Sequence, residues 1–305
     1  AGRLAFLSLL VPPPFWKGGL GALIHHLSIV MTIKTILVHL ADDPRHQARV
    51  ETAVKLSQRF DAHLLGLYTE EPAYMPDAIA GRGAALGFLA EETTIAHEHA
   101  VDIEQEFLDF CKLNQVSAEC LCKKGDHLGL LVKYAPFSDL AVISQSHAQN
   151  LEDRLRLHLP DHLPMTAGCP VLVVPYEQAV ERIGGRILIA WKPSPESGRA
   201  VGSALPFLKE AEQVTVLTIG QQDHDHAPGA EIAARLARHG VNVKTLSNLA
   251  GSRHKGEIIC EIAIDLDCDL IVMGAYGRPR LRKLVLGGIT HHTLIHTTIP
   301  LLMSH

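Results

Sequence analysis

Short apolar runs alternate with longer amphipathic stretches along most of the chain. The first run, Ile36–Leu40, is typical of a buried strand, and apolar residues at helical spacing follow over about 45–60. Strands that alternate with helices indicate crossover connections and a parallel sheet. The pattern therefore predicts an α/β fold. The strands predicted here are 36–40, 63–68, 118–122, 140–143 and 171–174, and the helices are about 45–60, 91–113 and 127–134.

The same order of elements then occurs a second time. Asp139–Ile143 matches Asp269–Met273, and Pro170–Val173 matches Pro300–Met303 in the same register. Unrelated segments rarely keep one register over such a length, so we expect a duplication. The sequence predicts two tandem repeats of a five-stranded, parallel-sheet, Rossmann-like domain of the nucleotide-binding type. The second set of strands is 187–190, 214–219, 241–246, 270–273 and 301–303, with helices at about 196–208, 230–238 and 256–264.

The repeats set the expected domain limits. We predict one domain over 32–176 and a second over 186–305, joined by the polar, glycine-containing linker 177–185. Residues 1–31 are predicted to be an N-terminal extension that adds nothing to the fold. That segment resembles a weak signal peptide without a cleavage site, and its apolar run is too short to span a bilayer. We expect a cytoplasmic protein, with export as the alternative.

The net charge limits the kinds of partner to expect, and the cysteines indicate the redox environment. The formal net charge is −5 and the pI is near 6.4, which argues against nucleic acid as a partner but not against a single nucleotide. We expect no membrane partner either. The six cysteines include no CxxC pair, and Cys120 and Cys122 are too close for an ordinary structural bridge. We interpret all six as reduced thiols, as in a cytosolic protein.

One loop of the second repeat has a pattern with a chemical meaning. Gly274 and Gly277 follow a predicted strand, and Gly287-Gly288-Ile289-Thr290 precedes a helical run through about His296. Glycine lets the backbone approach a ligand without a Cβ clash, and the amides and dipole of a helix N-terminus favour phosphate. Thr290 adds a hydroxyl donor. The alternative is that these glycines only turn a tight loop.

This loop resembles that of the universal stress protein family in its tandem form. The family's loop reads G-x2-G-x9-G-[S/T]; Gly274, Gly277 and Gly287 match it, and Gly288 stands where serine or threonine is usual. The resemblance covers about 32–305 and implies an adenine nucleotide alpha hydrolase-like fold that binds ATP or AMP, alone or with Mg²⁺. It implies that Met273 and Gly274 lie near the adenine or ribose. The residues it places at the phosphates are Gly277, Gly287, Gly288, Ile289 and Thr290.

Two departures from the family pattern affect these expectations. The family's aspartate after the first strand is replaced in the second repeat by Lys192, which can reach a phosphate but cannot accept a hydrogen bond. In the first repeat every loop glycine is lost. We therefore expect the first repeat not to bind a nucleotide in the family's manner. The residues at its equivalent positions are Ser144, His147, Leu157, His158 and Pro160.

Metal and catalytic motifs are not evident in the sequence. The closely spaced histidines, 97 with 99, 224 with 226 and 291 with 292, lack the spacing of a zinc motif, so we predict no metal site. One of His291 and His292 can face the ligand, or both can lie on a helix surface. Segment 70–89 is a loop packed on its own domain, a cover over the place where a nucleotide would lie in the first repeat, or a small apolar binding surface. No Walker loop or nucleophile elbow occurs.

The function that these features favour is a nucleotide-binding stress-response sensor or regulator. An enzyme that transfers phosphoryl groups needs a metal-binding carboxylate and a positioned base, and the loop offers neither, so we predict no catalytic residue. A slow ATP hydrolase that uses the same loop is one alternative. An interaction module that binds no nucleotide is the other.

The last strand of each repeat bears on assembly. Strands 171–174 and 301–303 are short apolar runs that each close a sheet, and an exposed apolar edge tends to be paired or covered. Both strands belong to one chain, so the linker sets their effective concentration. We predict that they pair to give an intramolecular pseudo-dimer, which is compatible with a homodimer of whole chains.

Overall fold

Strands and helices alternate along the described parts of the chain as predicted. The computed structural model describes residues 32–70, 85–146, 159–176, 180–220, 228–249, 251–275 and 288–305. The predicted extension 1–31 lies outside these residues, as do Gly277 and Gly287. The α/β class and its repetition are confirmed, because each half contributes five strands in the same order.

The elements of the first half begin shortly after residue 32. In chain order they are β1 (Thr35–Leu40), α1 (His46–Phe60), β2 (His63–Glu70), α2 (Ala85–Leu113), β3 (Ala118–Lys124), α3 (His127–Tyr134), a 3₁₀ turn (Ala135–Phe137), β4 (Leu140–Ser144), α4 (Leu159–Thr166) and β5 (Val171–Val174). The short helix α4 was not predicted. The reason is that it contains two prolines, which usually indicate a helix break. Pro160 lies in the first turn, where its missing N–H breaks no hydrogen bond, and Pro164 is tolerated near the end.

The second half repeats this order. Its elements are β6 (Arg186–Trp191), α5 (Pro195–Glu210), β7 (Gln213–Ile219), α6 (Ala230–Arg238), β8 (Val243–Asn248), α7 (Lys255–Asp265), β9 (Leu270–Gly274), α8 (Gly288–His296) and β10 (Leu301–Ser304). The strand predicted at 241–246 starts two residues later. The reason is that the Val241 N–H donates to the Leu236 carbonyl, 3.2 Å away, and so caps α6 instead of joining the sheet.

All ten described strands belong to one sheet, in the order β3-β2-β1-β4-β5-β10-β9-β6-β7-β8. Neighbours are parallel within each half, and β5 and β10 are antiparallel, with Leu172 opposite Leu302. The sheet is covered on both faces. One core contains Val38 and Phe107, and the other contains Leu37 and Leu294. Neighbouring residues of β1 thus enter opposite cores, as the two-residue period of a strand requires.

Two equivalent aspartates make the same contacts in the two halves. The Asp139 carboxylate accepts from the N–H groups of Lys34 and Thr35, 2.8 and 2.9 Å away. The Asp269 carboxylate accepts from those of Gly185 and Arg186, at 3.0 and 3.1 Å. Each aspartate precedes the fourth strand of its half and holds the start of the first. This shared role explains why Asp139 and Asp269 occur at matching positions of the repeat.

Helix contacts across the middle of the sheet reinforce the strand pairing. On one face, the Phe60 and Phe207 rings meet edge-on with centroids 5.0 Å apart, and Arg59 Nε lies 2.8 Å from Glu210 Oε2. The linker is held on the same face, because Lys55 Nζ donates to the Val180 carbonyl over 2.8 Å. Side chains from both halves therefore share the core on that face.

Leu172→Ala and Leu302→Ala test the junction between the halves. Both side chains are fully buried and directly opposed, so each substitution should lower the free energy of unfolding by about 2–5 kcal/mol. The double variant should deviate from additivity by roughly 0.5 kcal/mol or more, because directly paired residues couple. Urea denaturation measures both effects. The control Leu113→Ala, at an exposed helix end, should change stability little; strict additivity of the first pair would contradict the pairing.

Candidate functional site

The predicted site lies where the strand order reverses in the second half. β6 pairs with β7 on one side and with β9 on the other, so the connections after β6 and β9 leave the sheet in opposite directions. Such a switch point opens a crevice beyond the carboxyl ends of the strands, where open α/β sheets bind ligands. Trp191 ends β6 and Gly274 ends β9. Those residues expected to bind nucleotide that the structure describes flank this edge.

Gly274 is required by packing as well as by any ligand. A Cβ at this position would lie 2.6 Å from the Ser197 backbone N and 2.7 Å from the Glu196 carbonyl carbon. These atoms belong to the first turn of α5, so only glycine lets that turn approach the end of β9. The glycine at position 274 is therefore needed for the packing of α5 against β9, a reason that the loop pattern in the sequence did not reveal.

The start of α8 is more open. The helix begins at exposed Gly288, and among the described residues a Cβ there would meet only His254 Nε2, at 3.5 Å, which is ordinary contact. Ile289 is 39% exposed, whereas Thr290 is only 6% exposed. Packing against the part of the chain that the structure describes therefore does not require glycine at 288. An open helix N-terminus beside the switch point offers backbone N–H groups and a positive dipole end to an anion.

The other two expected residues differ in exposure. Met273 is buried inside the sheet, between Ala190 of β6 and Met303 of β10. Lys192 follows β6 and is exposed. A ligand bound at this edge would thus contact Met273 at the bottom of the crevice. The exposed Lys192 side chain would reach it from the solvent side.

Sequence reasoning missed Glu196, the acidic residue nearest this edge. Its side chain is 15% exposed, and its buried Oε2 has no hydrogen-bond partner among the described residues. The carboxyl pKa is lowered, first by the residue's own backbone N–H and then by the Ser194 hydroxyl and Arg199. An ionised oxygen without a partner can accept from a ligand hydroxyl or bind a cation. The available signal was an acidic residue in the first turn after β6.

Three histidines, His254, His292 and His296, line the face of α8 that continues from its open start. The His254 and His292 rings have centroids 4.5 Å apart, and those of His292 and His296 are 4.3 Å apart. Burial lowers the pKa of His292, and the two neighbouring rings lower it further. His291 points elsewhere, with Nδ1 3.3 Å from Asp161 of α4. Of the two histidines considered from sequence, His292 is therefore the one beside His254 and the start of α8.

The equivalent position in the first half is filled by its own side chains. Arg49 is buried, its guanidinium lies 2.8 Å from Asp43 Oδ2, and it donates to Ser144 Oγ over 2.9 Å. When the buried positions of α1 and α5 are aligned, with Val50 on Val201 and Ala53 on Ala204, Arg49 corresponds to the small Ala200. The remaining cavity of about 20 Å³ beside Arg49 and Tyr176 has room for roughly one water molecule. This edge of the first half is therefore largely filled.

Comparisons with known proteins agree with this architecture. Residues 185–305 match the sequence model of the Universal stress protein family. The second half of the chain is therefore similar to a universal stress protein domain. A universal stress protein from Archaeoglobus fulgidus DSM 4304 has the same fold over both halves: the TM-score is 0.71 at 14% identity, over 90% of this chain and 96% of that one.

A second solved structure superposes on this chain less closely. A protein of unknown function from Pseudomonas aeruginosa PAO1 matches with a TM-score of 0.53 at 17% identity, over 89% of this chain and 92% of that one. No curated protein matches the sequence significantly. None of the helices in the described residues is long and apolar enough to cross a membrane. The universal stress protein assignment therefore rests on the second half, and the likeness over the first half is one of fold.

Acid should destabilise the protein through His39. This buried side chain lies 2.8 Å from His127, and burial together with Arg49 holds its pKa well below the usual value. Because of this low pKa, the unfolded chain binds the extra proton more readily than the folded one. The free energy of unfolding is therefore maintained above about pH 6.5 and falls at lower pH, by at most about 1.4 kcal/mol per pH unit for this group. Urea denaturation between pH 8 and pH 5 measures the slope.

His39→Gln should be less stable at neutral pH yet lose less stability on acidification. The control His239→Gln changes an exposed histidine and should keep the slope of the parent. An unchanged slope in His39→Gln would show that other groups cause the acid sensitivity.

Proposed function

We propose that the second half binds one ATP or AMP molecule per chain and that the protein acts as a nucleotide-responsive sensor or regulator in the cytoplasm. The observation that carries this proposal is the open start of α8 at the switch point of a universal stress protein domain. Gly288 there is exposed, and no contact with the described residues requires a glycine. Helix N-termini in this position bind phosphate through backbone N–H groups. Gly277, Gly287, Ile289 and Thr290 belong to the same proposed phosphate site.

The adenosine part would lie toward β6 and β9. Met273 and Gly274 provide an apolar floor, and the unpartnered Glu196 oxygen can accept a ribose hydroxyl. The positive charge of the exposed Lys192 would bind the phosphates, or would attract the nucleotide electrostatically as it approaches through solvent. Among the described residues of the first half, the space beside Arg49 is a cavity of about 20 Å³, which is too small for a nucleotide and supports one site per chain.

Contacts of α8 with the first half suggest how a bound nucleotide would be sensed. His291 of α8 faces Asp161 of α4. The buried Gln145 side chain, at the end of β4, donates to the carbonyls of Leu294 and Thr297, and its Oε1 accepts from the Tyr176 N–H over 2.9 Å. A ligand at the start of α8 would therefore change the energetics of a helix that both halves hold. A regulatory output needs such a shared element.

The antiparallel β5–β10 junction supports an intramolecular pseudo-dimer. We propose that each half closes the apolar edge of the other, so that the chain needs no second copy to complete its sheet. A homodimer of whole chains would use another surface.

Slow ATP hydrolysis is the second candidate function. The observation that favours it is the Glu196 carboxylate, which can hold Mg²⁺ beside the phosphates and which the sequence had not placed at this edge. A measured release of ADP from ATP and Mg²⁺ that is lost in Glu196→Gln would support it. Tight binding without turnover would favour the sensor, and no binding at all would favour an interaction module.

Gly288→Val should abolish nucleotide binding with little loss of stability. The added side chain would stand over the amides that hold the phosphate, while the packing around position 288 is open. Isothermal titration calorimetry with ATP and AMP should give one site per chain for the parent and no heat of binding for the variant. The control Gly202→Val, also at a helix position without close neighbours, should bind as the parent does. Two equal sites, or full binding by Gly288→Val, would contradict the proposal.

Glu196→Ala should weaken AMP binding about five- to tenfold, the effect of losing one hydrogen bond of about 1 kcal/mol. The matched control is Glu231→Ala, because Glu231 occupies the first turn of α6 and lies away from the site. Both variants lose an acid that stabilises a helix start, so only a difference in affinity reports on the ligand. Equal affinities in the two variants would remove Glu196 from the site.

A further inference from the structure

Two thiols and a carboxylate come together at the outer edge of the first half. Cys120 and Cys122 alternate along the edge strand β3, so their side chains share the face that packs on α2. Glu104 projects from α2 toward them. Cys122 Sγ lies 3.6 Å from Glu104 Oε2, and one ligand atom from each of the three residues lies within 4.8 Å of the other two.

The spacing fits a tetrahedral zinc ion. Zn–S bonds of about 2.3 Å and Zn–O bonds of about 2.1 Å place sulfur and oxygen about 3.6 Å apart at tetrahedral angles, and two sulfurs about 3.8 Å apart. The distance between Cys122 Sγ and Glu104 Oε2, 3.6 Å, already equals the value for a sulfur and an oxygen. The Ala100 carbonyl oxygen lies 4.0 Å from Cys122 Sγ and, like a water molecule, is a candidate for the fourth position.

The surroundings also suit a metal. All three side chains are half-buried, so an ion can enter from the edge of the sheet while the protein excludes most of the solvent. Two thiolates and a carboxylate carry more negative charge than one divalent cation, and soft sulfur ligands favour zinc over magnesium or calcium. Motif searches miss the group because its residues come from a helix and a strand, without the spacing of a zinc finger.

We propose that Cys120, Cys122 and Glu104 form a binding site for zinc or a similar thiophilic divalent ion. The site is separate from the proposed nucleotide site, which lies in the other half. Binding displaces one proton from each thiol, so affinity should rise steeply with pH. Burial raises the pKa of both thiols, which keeps them protonated until the metal arrives.

Cobalt titration of the full-length protein tests the proposal. The chain is reduced with a phosphine, stripped of metal with a chelator and titrated with Co²⁺, whose thiolate complexes absorb through sulfur-to-metal charge transfer. We expect one Co²⁺ per chain, displaced by Zn²⁺, with tighter binding at pH 8 than at pH 6.5. Cys120→Ser and Cys122→Ser should lose the charge-transfer band, and Glu104→Gln should weaken binding at least tenfold.

The control is Cys260→Ser, which changes another half-buried cysteine, on α7. It should keep the band, and circular dichroism should show that every variant used is folded. Glu104→Gln serves as the deciding variant if a serine variant does not fold. ATP affinity should be the same in all variants. Absence of the band at stoichiometric Co²⁺, its persistence in Cys122→Ser, or equal loss in Cys260→Ser would overturn the proposal.

Discussion

The antiparallel pairing of β5 and β10 is the interaction on which the arrangement of both halves depends. Each strand is only four residues long, fully buried, and the last strand of its half. Alone, each would expose an apolar edge with unpaired backbone groups, which favours aggregation. Pairing them satisfies both edges at once and makes one sheet with helices on both faces. It also brings α8 against α4 and Gln145, so the candidate site is not isolated from the first half.

Within this symmetric frame the two switch points differ through a few side chains. Arg49 occupies, with Asp43 and Ser144, the space that a ligand would need in the first half. The second half has Ala200 at the position of Arg49 and Gly274 at that of Ser144. A buried ion pair fills this edge of the first half, whereas the corresponding positions of the second half carry no large side chain. The two halves therefore share a fold and differ in the side chains at this edge.

The elements with a regular pattern could be predicted from sequence, and the residues defined by distance could not. The strands were evident because each is a continuous apolar run, and the repeat because Asp139 and Asp269 keep one register. Helix α4 was missed since its prolines resemble a break. Glu196 and His254 come near Gly288 and Gly274 only through helix packing, and no local pattern marks them. The glycine motif predicts a nucleotide site at the switch-point edge, which stays a prediction, and Gly274 also serves the packing of α5.

Hydrogen–deuterium exchange of the full-length chain, with and without saturating ATP, tests the central claim most directly. The account predicts slower exchange in peptides that contain the start of α8 and the end of β9, together with smaller protection in α4. It predicts no change in the peptides around Arg49 and Ser144. Protection centred on those first-half peptides, or none anywhere under conditions in which calorimetry shows binding, would contradict a single site at the start of α8.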